Sequence, residues 1–177
     1  MKRVHVCNYG IGNIHNVLRA FHRVGAEAID CTSPDQLKHV ERLVIPGVGA
    51  FSSCMSAFTK SGFRSQVTEL IDRGAAVLAI CVGMQMLADV SEEFGTHEGL
   101  GIIKGRVRRL PKFATDGTPL AVPHINWSRI SDSGAKWTGT PLGAISPGTH
   151  AYFIHSYFFD CAHAEDQLAT FSYGERT

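Results

Sequence analysis

The chain reads as an α/β fold on a mostly parallel central sheet, with helices on both faces and a partly antiparallel C-terminal part. Three observations predict it. Over the first half, apolar runs alternate with stretches of helical period, the pattern of successive βαβ units. One apolar run, Ala75 to Ile80, stops abruptly at Cys81. Gly83 and a helix-forming stretch follow, so a strand, a sharp turn and a helix carry a thiol on the turn. Beyond Glu98-Gly99 the pattern changes to short β-like runs separated by Gly and Pro. That shift marks a change of topology within one domain, expected to span residues 1–177, and not a linker.

The elements follow in order. Met1 to Val6 opens the first strand, which runs from Arg3 to Asn8. Tyr9-Gly10-Ile11-Gly12-Asn13 is a turn. Ile14, Val17, Leu18, Phe21 and Val24 fall at helical spacing, and Gly25 closes that helix. Ala26 to Cys31 is a strand, and Ser33-Pro34 starts a short helix with Pro in its first turn. Arg42 to Ile45 is a third strand, stopped by Pro46-Gly47-Val48-Gly49. Met55 to Arg73 is helical with a break near Ser61-Gly62. Ala75 to Ile80 is the fourth strand and Val82 to Asp89 the helix after the elbow. The later strands are Gly105 to Arg109, Leu120 to His124, Ala151 to Phe159 and Gln167 to Tyr173.

With 177 residues, 44% apolar and 19% charged, the composition is that of a soluble globular domain. A formal net charge of +1 gives no electrostatic reason to expect nucleic acid or an anionic membrane as partner. No apolar run reaches the length of about 18 residues that a membrane span needs, and the N-terminus lacks a signal-peptide pattern. The five cysteines are Cys7, Cys31, Cys54, Cys81 and Cys161. Without CxxC spacing they suggest neither a disulfide framework nor a zinc site, and a reducing cytoplasm is expected. No metal and no cofactor are expected.

The chemistry centres on Cys81. The elbow exposes its thiol above the sheet edge, and a helix N-terminus aimed at it favours the reactive thiolate. An oxyanion hole needs backbone N–H groups converging on one point. Val82 supplies one, and the Gly47-Val48 segment, at the end of another parallel strand, can turn in a second. Gln85, one turn past Cys81, can hydrogen-bond a polar substrate.

Seven segments then match one family in order. They are Asn8-Tyr9-Gly10-Ile11-Gly12-Asn13, Pro46-Gly47-Val48-Gly49-Ala50-Phe51, Ile80-Cys81-Val82-Gly83-Met84-Gln85, Ser91-Glu92-Glu93-Phe94-Gly95, Gly99-Leu100-Gly101, Val122-Pro123-His124-Ile125-Asn126-Trp127 and Tyr152-Phe153-Ile154-His155-Ser156-Tyr157. Together they make the chain resemble the class I glutamine amidotransferases, and within them the glutaminase subunits that serve imidazole glycerol phosphate formation in histidine biosynthesis. The resemblance implies a three-layer fold and hydrolysis of glutamine to glutamate and ammonia. It implies Cys81 as the nucleophile that forms a glutamyl thioester. Gly47, Val48 and Val82 are implied at the oxyanion, with a peptide of that strand that flips on activation. Gln85 and Glu93 are implied to clamp the amide and ammonium ends of glutamine, and the strand at His155, Ser156 and Tyr157 to hold its carboxylate. Asn13, Trp127 and Tyr152 match positions facing a partner, a (β/α)8-barrel cyclase that consumes the ammonia.

The sequence departs from the family pattern at four places. Ala79 replaces a glycine two residues before the nucleophile. Asn126 stands where glycine is frequent, and Ser128 where asparagine is common after the tryptophan. The family also continues past the strand resembling Leu168 to Tyr173 to a His-Pro-Glu segment, the general base and its orienting carboxylate, and a final helix. These are not in the sequence given, which is therefore expected to be part of a longer protein.

Alternative readings stand beside this one. The same glutaminase can feed a synthase that aminates a surface-polysaccharide sugar, a reading that Asn126 and Ser128 motivate. The chain can be a non-catalytic binding subunit, or a cysteine hydrolase of related fold. Cys7, Cys31, Cys54 and Cys161 read as small apolar residues in or near elements. Glu92 reads as solvated and Trp127, by its size, as a core candidate. His155 reads as structural, and His97, His124, His150 and His163 as loop or surface residues.

Overall fold

Val4 and Val6 are buried on one face of the strand Arg3–Cys7 (β1), and on the other face burial increases from exposed Arg3 to fully buried Cys7. The computed structural model describes residues 2–134 and 137–174; Met1, read as part of the approach to this strand, lies outside the described residues. The chain folds as two compact units, Met1–Ile102 and Ile103–Thr177.

In the first unit β1 is joined by β2 (Glu27–Cys31), β3 (Arg42–Gly47) and β4 (Ala76–Cys81) in a parallel sheet of order β2-β1-β3-β4. Leu43, Val44 and Ile45 of β3 are all buried, the continuous apolar run expected of a parallel strand covered on both faces. The helix α1 (Ile14–Arg23) packs Ile14, Val17, Leu18 and Phe21 against Val4, Val6 and Val44. Leu43 and Ile45 alternate to the opposite face. The helices α2 (Phe51–Lys60) and α3 (Phe63–Asp72) bury Phe51, Phe58, Phe63 and Val67. Gly25 (φ 78°) follows α1 as the left-handed closing residue that its sequence position predicts, and its N–H bonds the His22 carbonyl. Pro34–Leu37 is a short 3-10 turn in which Ser33 and Gln36 form a capping box.

Three boundaries differ from expectation. The third strand continues through Pro46 to Gly47, because β4 stays paired with it as far as Cys81, while β1 pairs with β3 only as far as Val44. The second helix begins at Phe51 and not near Met55, because the carboxylate of distant Glu93 accepts the Phe51 N–H at 2.6 Å and supplies the missing cap. The helix after the elbow, α4 (Val82–Gln85), is one turn and does not reach Asp89. The Met86, Leu87, Ala88 and Asp89 carbonyls accept N–H groups from Leu100, Ile102, Gly101 and Gly99, so the bonds of a longer helix go to this segment instead. Two short strands that the sequence did not signal, β5 (Val90–Ser91) and β6 (His97–Glu98), pair antiparallel between them.

The second unit is built from antiparallel pairs. β7 (Gly105–Arg109) takes up β11 (Tyr157–Cys161), β8 (His124–Arg129) takes up β10 (His150–His155), and β9 (Ser131–Asp132) takes up β12 (Ala169–Thr170). The strand expected from Leu120 to His124 instead starts at His124, because Leu120 closes a local loop by bonding the Lys112 carbonyl. The run expected from Ala151 to Phe159 breaks at Ser156, where the chain changes partner from β8 to β7 and the Ser156 carbonyl accepts the Leu110 N–H. The Gln167 to Tyr173 strand is reduced to Ala169–Thr170. Around these strands His124, Phe153, His155, Phe171 and Tyr173 form a cluster of stacked and edge-on rings.

Candidate active site

Parallel strands deliver their C-terminal ends to one edge, and β3 and β4 bring Gly47 and Cys81 there as register partners. Cys81 is exposed and has φ 57° and ψ −120°, a conformation that non-glycine residues rarely adopt. This conformation falls at the point where β4 gives way to α4. Val82 opens α4, so its N–H is among those with no acceptor inside the helix. A helix of four residues sums few peptide dipoles, so the electrostatic support expected from a full-length helix is correspondingly small.

The Gly47-Val48 turn lies against this elbow with backbone touching backbone. A Cβ added at Gly47 would overlap the Gly83 nitrogen, and one at Gly83 would overlap the Ile45 carbonyl oxygen. Glycine at both positions is therefore a packing requirement. Val48 follows, half exposed, and Gly49 has φ 84°. Gln85 is buried on α4. Glu93 is partly buried; its Oε2 accepts the Phe51 N–H and its own N–H donates to Ser91 Oγ. The first unit thus brings together Gly47, Val48, Cys81 and Val82, and places Gln85 on the same helical turn.

In the second unit Ser156 is the residue at which the chain passes from β10 to β11, with His155 and Tyr157 on either side. The His155 Nδ1–H donates to the Tyr157 carbonyl at 2.9 Å, which fixes its tautomer, and Nε2 is buried without a partner among the described residues. Burial lowers the His155 pKa first, the Tyr157 bond opposes this, and His124 lowers it further. His124 is not a surface residue as expected: it is buried on β8, its pKa lowered by desolvation, and its Nε2 lies 2.9 Å from Ser128 Oγ. His97 and His150 lie on strands; His150 is exposed, as read for a loop or surface residue, and His97 is half-buried. The departures Asn126 and Ser128 have local work: Asn126 Oδ1 accepts the Trp127 N–H at 2.8 Å, and Ser128 holds His124.

Trp127 and Tyr152 are register partners across β8 and β10, with ring centroids 5.6 Å apart. They are 63% and 52% exposed, so neither is a core residue. Asn13, at the N-cap of α1, is also exposed. Cys7, Cys31 and Cys54 are buried, and burial pushes each thiol pKa up. Among the described residues no group of His, Cys, Asp and Glu is placed to hold a metal, and no helix is long and apolar enough to cross a membrane. Two residues of the site went unassigned in the sequence, Tyr9 and Cys54. Tyr9 Oη donates to the Pro46 carbonyl at 2.5 Å, and Cys54 Sγ donates to the Val48 carbonyl at 3.2 Å. The signals for Tyr9 were its place at the end of a predicted strand and in the first of the seven matching segments; Cys54 gave none.

An exposed cysteine at a strand-to-helix elbow, beside a glycine turn at the carboxyl edge of a parallel sheet, fits the class I glutamine amidotransferases, and the comparisons with known proteins show that class. Solved structures share the fold. One, described as a glutamine amidotransferase, superposes with a TM-score of 0.64 at 20% identity over 88% of this chain and 72% of that one. The structure of PurLQS from Thermotoga maritima gives 0.69 at 15% identity over 98% and 77%. The model of the CobB/CobQ-like glutamine amidotransferase domain matches residues 1–122. The imidazole glycerol phosphate synthase subunit HisH of Geobacter sulfurreducens is 37% identical over 159 residues, 89% of this chain and 75% of that protein. The HisH subunit of Bacillus subtilis is 36% identical over 171 residues, 97% and 79%. The chain belongs to the glutamine amidotransferase family and, within it, to the HisH subunits of imidazole glycerol phosphate synthase.

Proposed function

We propose that this protein is the glutaminase subunit of an imidazole glycerol phosphate synthase, with Cys81 as nucleophile. The observation that carries the site assignment is Cys81 itself: a strained, exposed thiol in register with the glycine turn, in a chain of this family. The thiol adds to the side-chain amide carbon of glutamine. The oxyanion so formed is stabilised by the N–H groups of Val48 and Val82. Collapse breaks the C–N bond and releases ammonia, leaving a thioester that water hydrolyses to glutamate. The thiol proton must pass to the leaving nitrogen through a general base. Family resemblance assigns that task to a histidine of a His-Pro-Glu segment, which does not occur within residues 1–177.

Gln85 and Glu93 are assigned to the amide and ammonium ends of glutamine. Glu93 retains acceptor capacity beyond its bond to Phe51, since a carboxylate offers about four lone-pair sites. His155, Ser156 and Tyr157 are assigned to its carboxylate. Ammonia loses its nucleophilicity when protonated in water, so direct transfer to a synthase subunit is chemically sensible. We assign that subunit as a (β/α)8-barrel cyclase, met by Asn13, Trp127 and Tyr152, in the cytoplasm. The exposed Trp127–Tyr152 pair supports an interface there, since exposed aromatics of this kind anchor protein partners.

The test is glutamate release from glutamine by the protein co-expressed with its synthase subunit, with and without Cys81→Ala. Release that needs both the partner and Cys81 supports the reading. Undiminished release by Cys81→Ala overturns the nucleophile assignment.

A further inference from the structure

The peptide between Gly47 and Val48 is flanked on both sides by carbonyl groups held by buried side chains. On one side Tyr9 Oη donates to the Pro46 carbonyl at 2.5 Å. On the other Cys54 Sγ donates to the Val48 carbonyl at 3.2 Å. Both donors are anchored. Tyr9 packs edge-on against Phe58, with centroids 5.2 Å apart, and lies 3.9 Å from Met86 Sδ. Cys54 is fully buried on the first turn of α2, whose N-terminal Phe51 N–H is held in turn by Glu93. The two donors also interact with each other. In front, Gly47 meets the Gly83 backbone too closely for any side chain.

We propose that Tyr9 and Cys54 are positioning residues for the oxyanion turn: they fix the two carbonyls that bracket the Gly47–Val48 peptide, so that the Val48 N–H is set relative to the Cys81 thiol. The inference rests on the glutaminase reading, in which that N–H binds the oxyanion. A peptide unit can turn, its N–H and C=O moving together, by opposite changes of ψ at the residue before it and φ at the residue after it, while the adjacent units stay in place. With Pro46 and Val48 carbonyls tied, the rotation is confined to the single unit that bears the catalytic N–H. Burial pushes the Tyr9 phenol and the Cys54 thiol up, so both stay protonated donors at neutral pH.

The test compares Tyr9→Phe, Cys54→Ala and Cys54→Ser in the full-length protein with its synthase subunit. Loss of transition-state alignment lowers kcat and leaves KM nearly unchanged. Tyr9→Phe and Cys54→Ala are each expected to lower kcat by about ten- to a hundredfold, below the cost of deleting an oxyanion donor outright. Cys54→Ser keeps a hydroxyl donor and is expected to recover most of the rate. The second readout is the backbone order parameter of the Val48 amide. It is expected to fall from about 0.85 toward about 0.6 in Tyr9→Phe and Cys54→Ala, with the rest of the sheet unchanged. Unchanged kcat with an unchanged order parameter overturns the proposal. So does a rate loss that serine does not rescue and that spreads to amides across the unit. Wild-type protein that fails to hydrolyse glutamine overturns the glutaminase reading, while the order parameters still report on the clamp.

Discussion

A Cβ at Gly83 would overlap the carbonyl oxygen of Ile45, so the elbow and the central strand approach each other backbone to backbone. Backbone cannot swing aside as the end of a flexible side chain can. Gly83→Ala is therefore expected to destabilise the first unit by about 1–3 kcal/mol, the usual cost of overpacking. It should also displace Cys81 from the turn at Gly47. Gly10→Ala is the control, since its Cβ meets nothing within 4 Å and only backbone strain is added. Urea unfolding midpoints of the two variants check this, and equal losses would mean that contact at the elbow is not the limiting factor.

Cys81 occupies a backbone region that glycine enters freely and other residues enter at a cost of about 1–3 kcal/mol. Elsewhere in a fold alanine is the more stabilising of the two. At position 81 the order should reverse: Cys81→Gly is expected to be more stable than Cys81→Ala by about 1 kcal/mol, and both should lose glutamine hydrolysis. Equilibrium unfolding of the pair measures it. A more stable alanine variant would show that the elbow relaxes once the thiol is gone.

How much of this was legible in the chain depends on the range of the interaction. The order of β1 to β4, the Gly25 helix stop and the elbow at Cys81 are set by local pattern, and sequence and structure agree on them. The start of α2 was misplaced because its cap comes from Glu93, forty-two positions away. The helix after Cys81 was overextended for the same kind of reason. Its sequence favours helix, but the 99–102 segment takes its carbonyls. The sequence suggests a loop or surface place for His124 because nothing near it announces the rings of Phe153, His155, Phe171 and Tyr173 that cover it. At the site, Cys81 and the two glycines carry sequence signatures of their geometry. Tyr9 meets the Pro46 carbonyl thirty-seven positions away and Cys54 meets the Val48 carbonyl six positions back, and neither side-chain contact leaves a periodic pattern in the chain.

Glu93 serves two tasks that substitution can separate. Its Oε2 caps α2 through the Phe51 N–H, and its charge is assigned to the substrate ammonium. Glu93→Gln keeps a carbonyl acceptor for the cap and removes the charge. It is expected to leave stability within about 0.5 kcal/mol and to raise KM for glutamine about tenfold, a loss near 1.4 kcal/mol of binding. Glu93→Ala removes both and should cost a further ~1 kcal/mol of stability. Thermal unfolding and steady-state kinetics of the two variants settle it, and an unaltered KM in both would remove Glu93 from the substrate site.

His124 and His155 face each other edge-on, 5.5 Å between ring centroids, among aromatic rings. Desolvation is the first cause of the lowered pKa of each. The unfolded chain therefore binds protons near pH 6.5 that the folded chain refuses until lower pH. Stability is full above about 6.5 and falls as pH drops from there toward the folded-state values. The urea midpoint should decline between pH 7 and pH 5. Carboxylates titrate at the lower end of that range, so the comparison is with His124→Asn/His155→Asn, in which the upper part of the decline should flatten. An identical pH profile in the double variant would assign the decline to other groups.

Trp127 and Tyr152 form a cross-strand aromatic pair that water covers in the isolated chain, with Ile125 and Ile154, also register partners, exposed two positions along each strand. Side chains two apart on a strand share a face, so the four make one apolar surface. Removing exposed aromatics costs the isolated fold little, because they bury little area there. If the surface meets the synthase subunit, the same removal deletes interface anchors, worth about 2 kcal/mol or more each in measured cases. Trp127→Ala and Tyr152→Ala are therefore expected to leave the unfolding midpoint nearly unchanged and to weaken association with the synthase subunit about thirtyfold each. Titration of the purified subunit by calorimetry reads the second quantity directly. Loss of stability with unchanged affinity would place the pair in this chain's own packing and move the interface elsewhere.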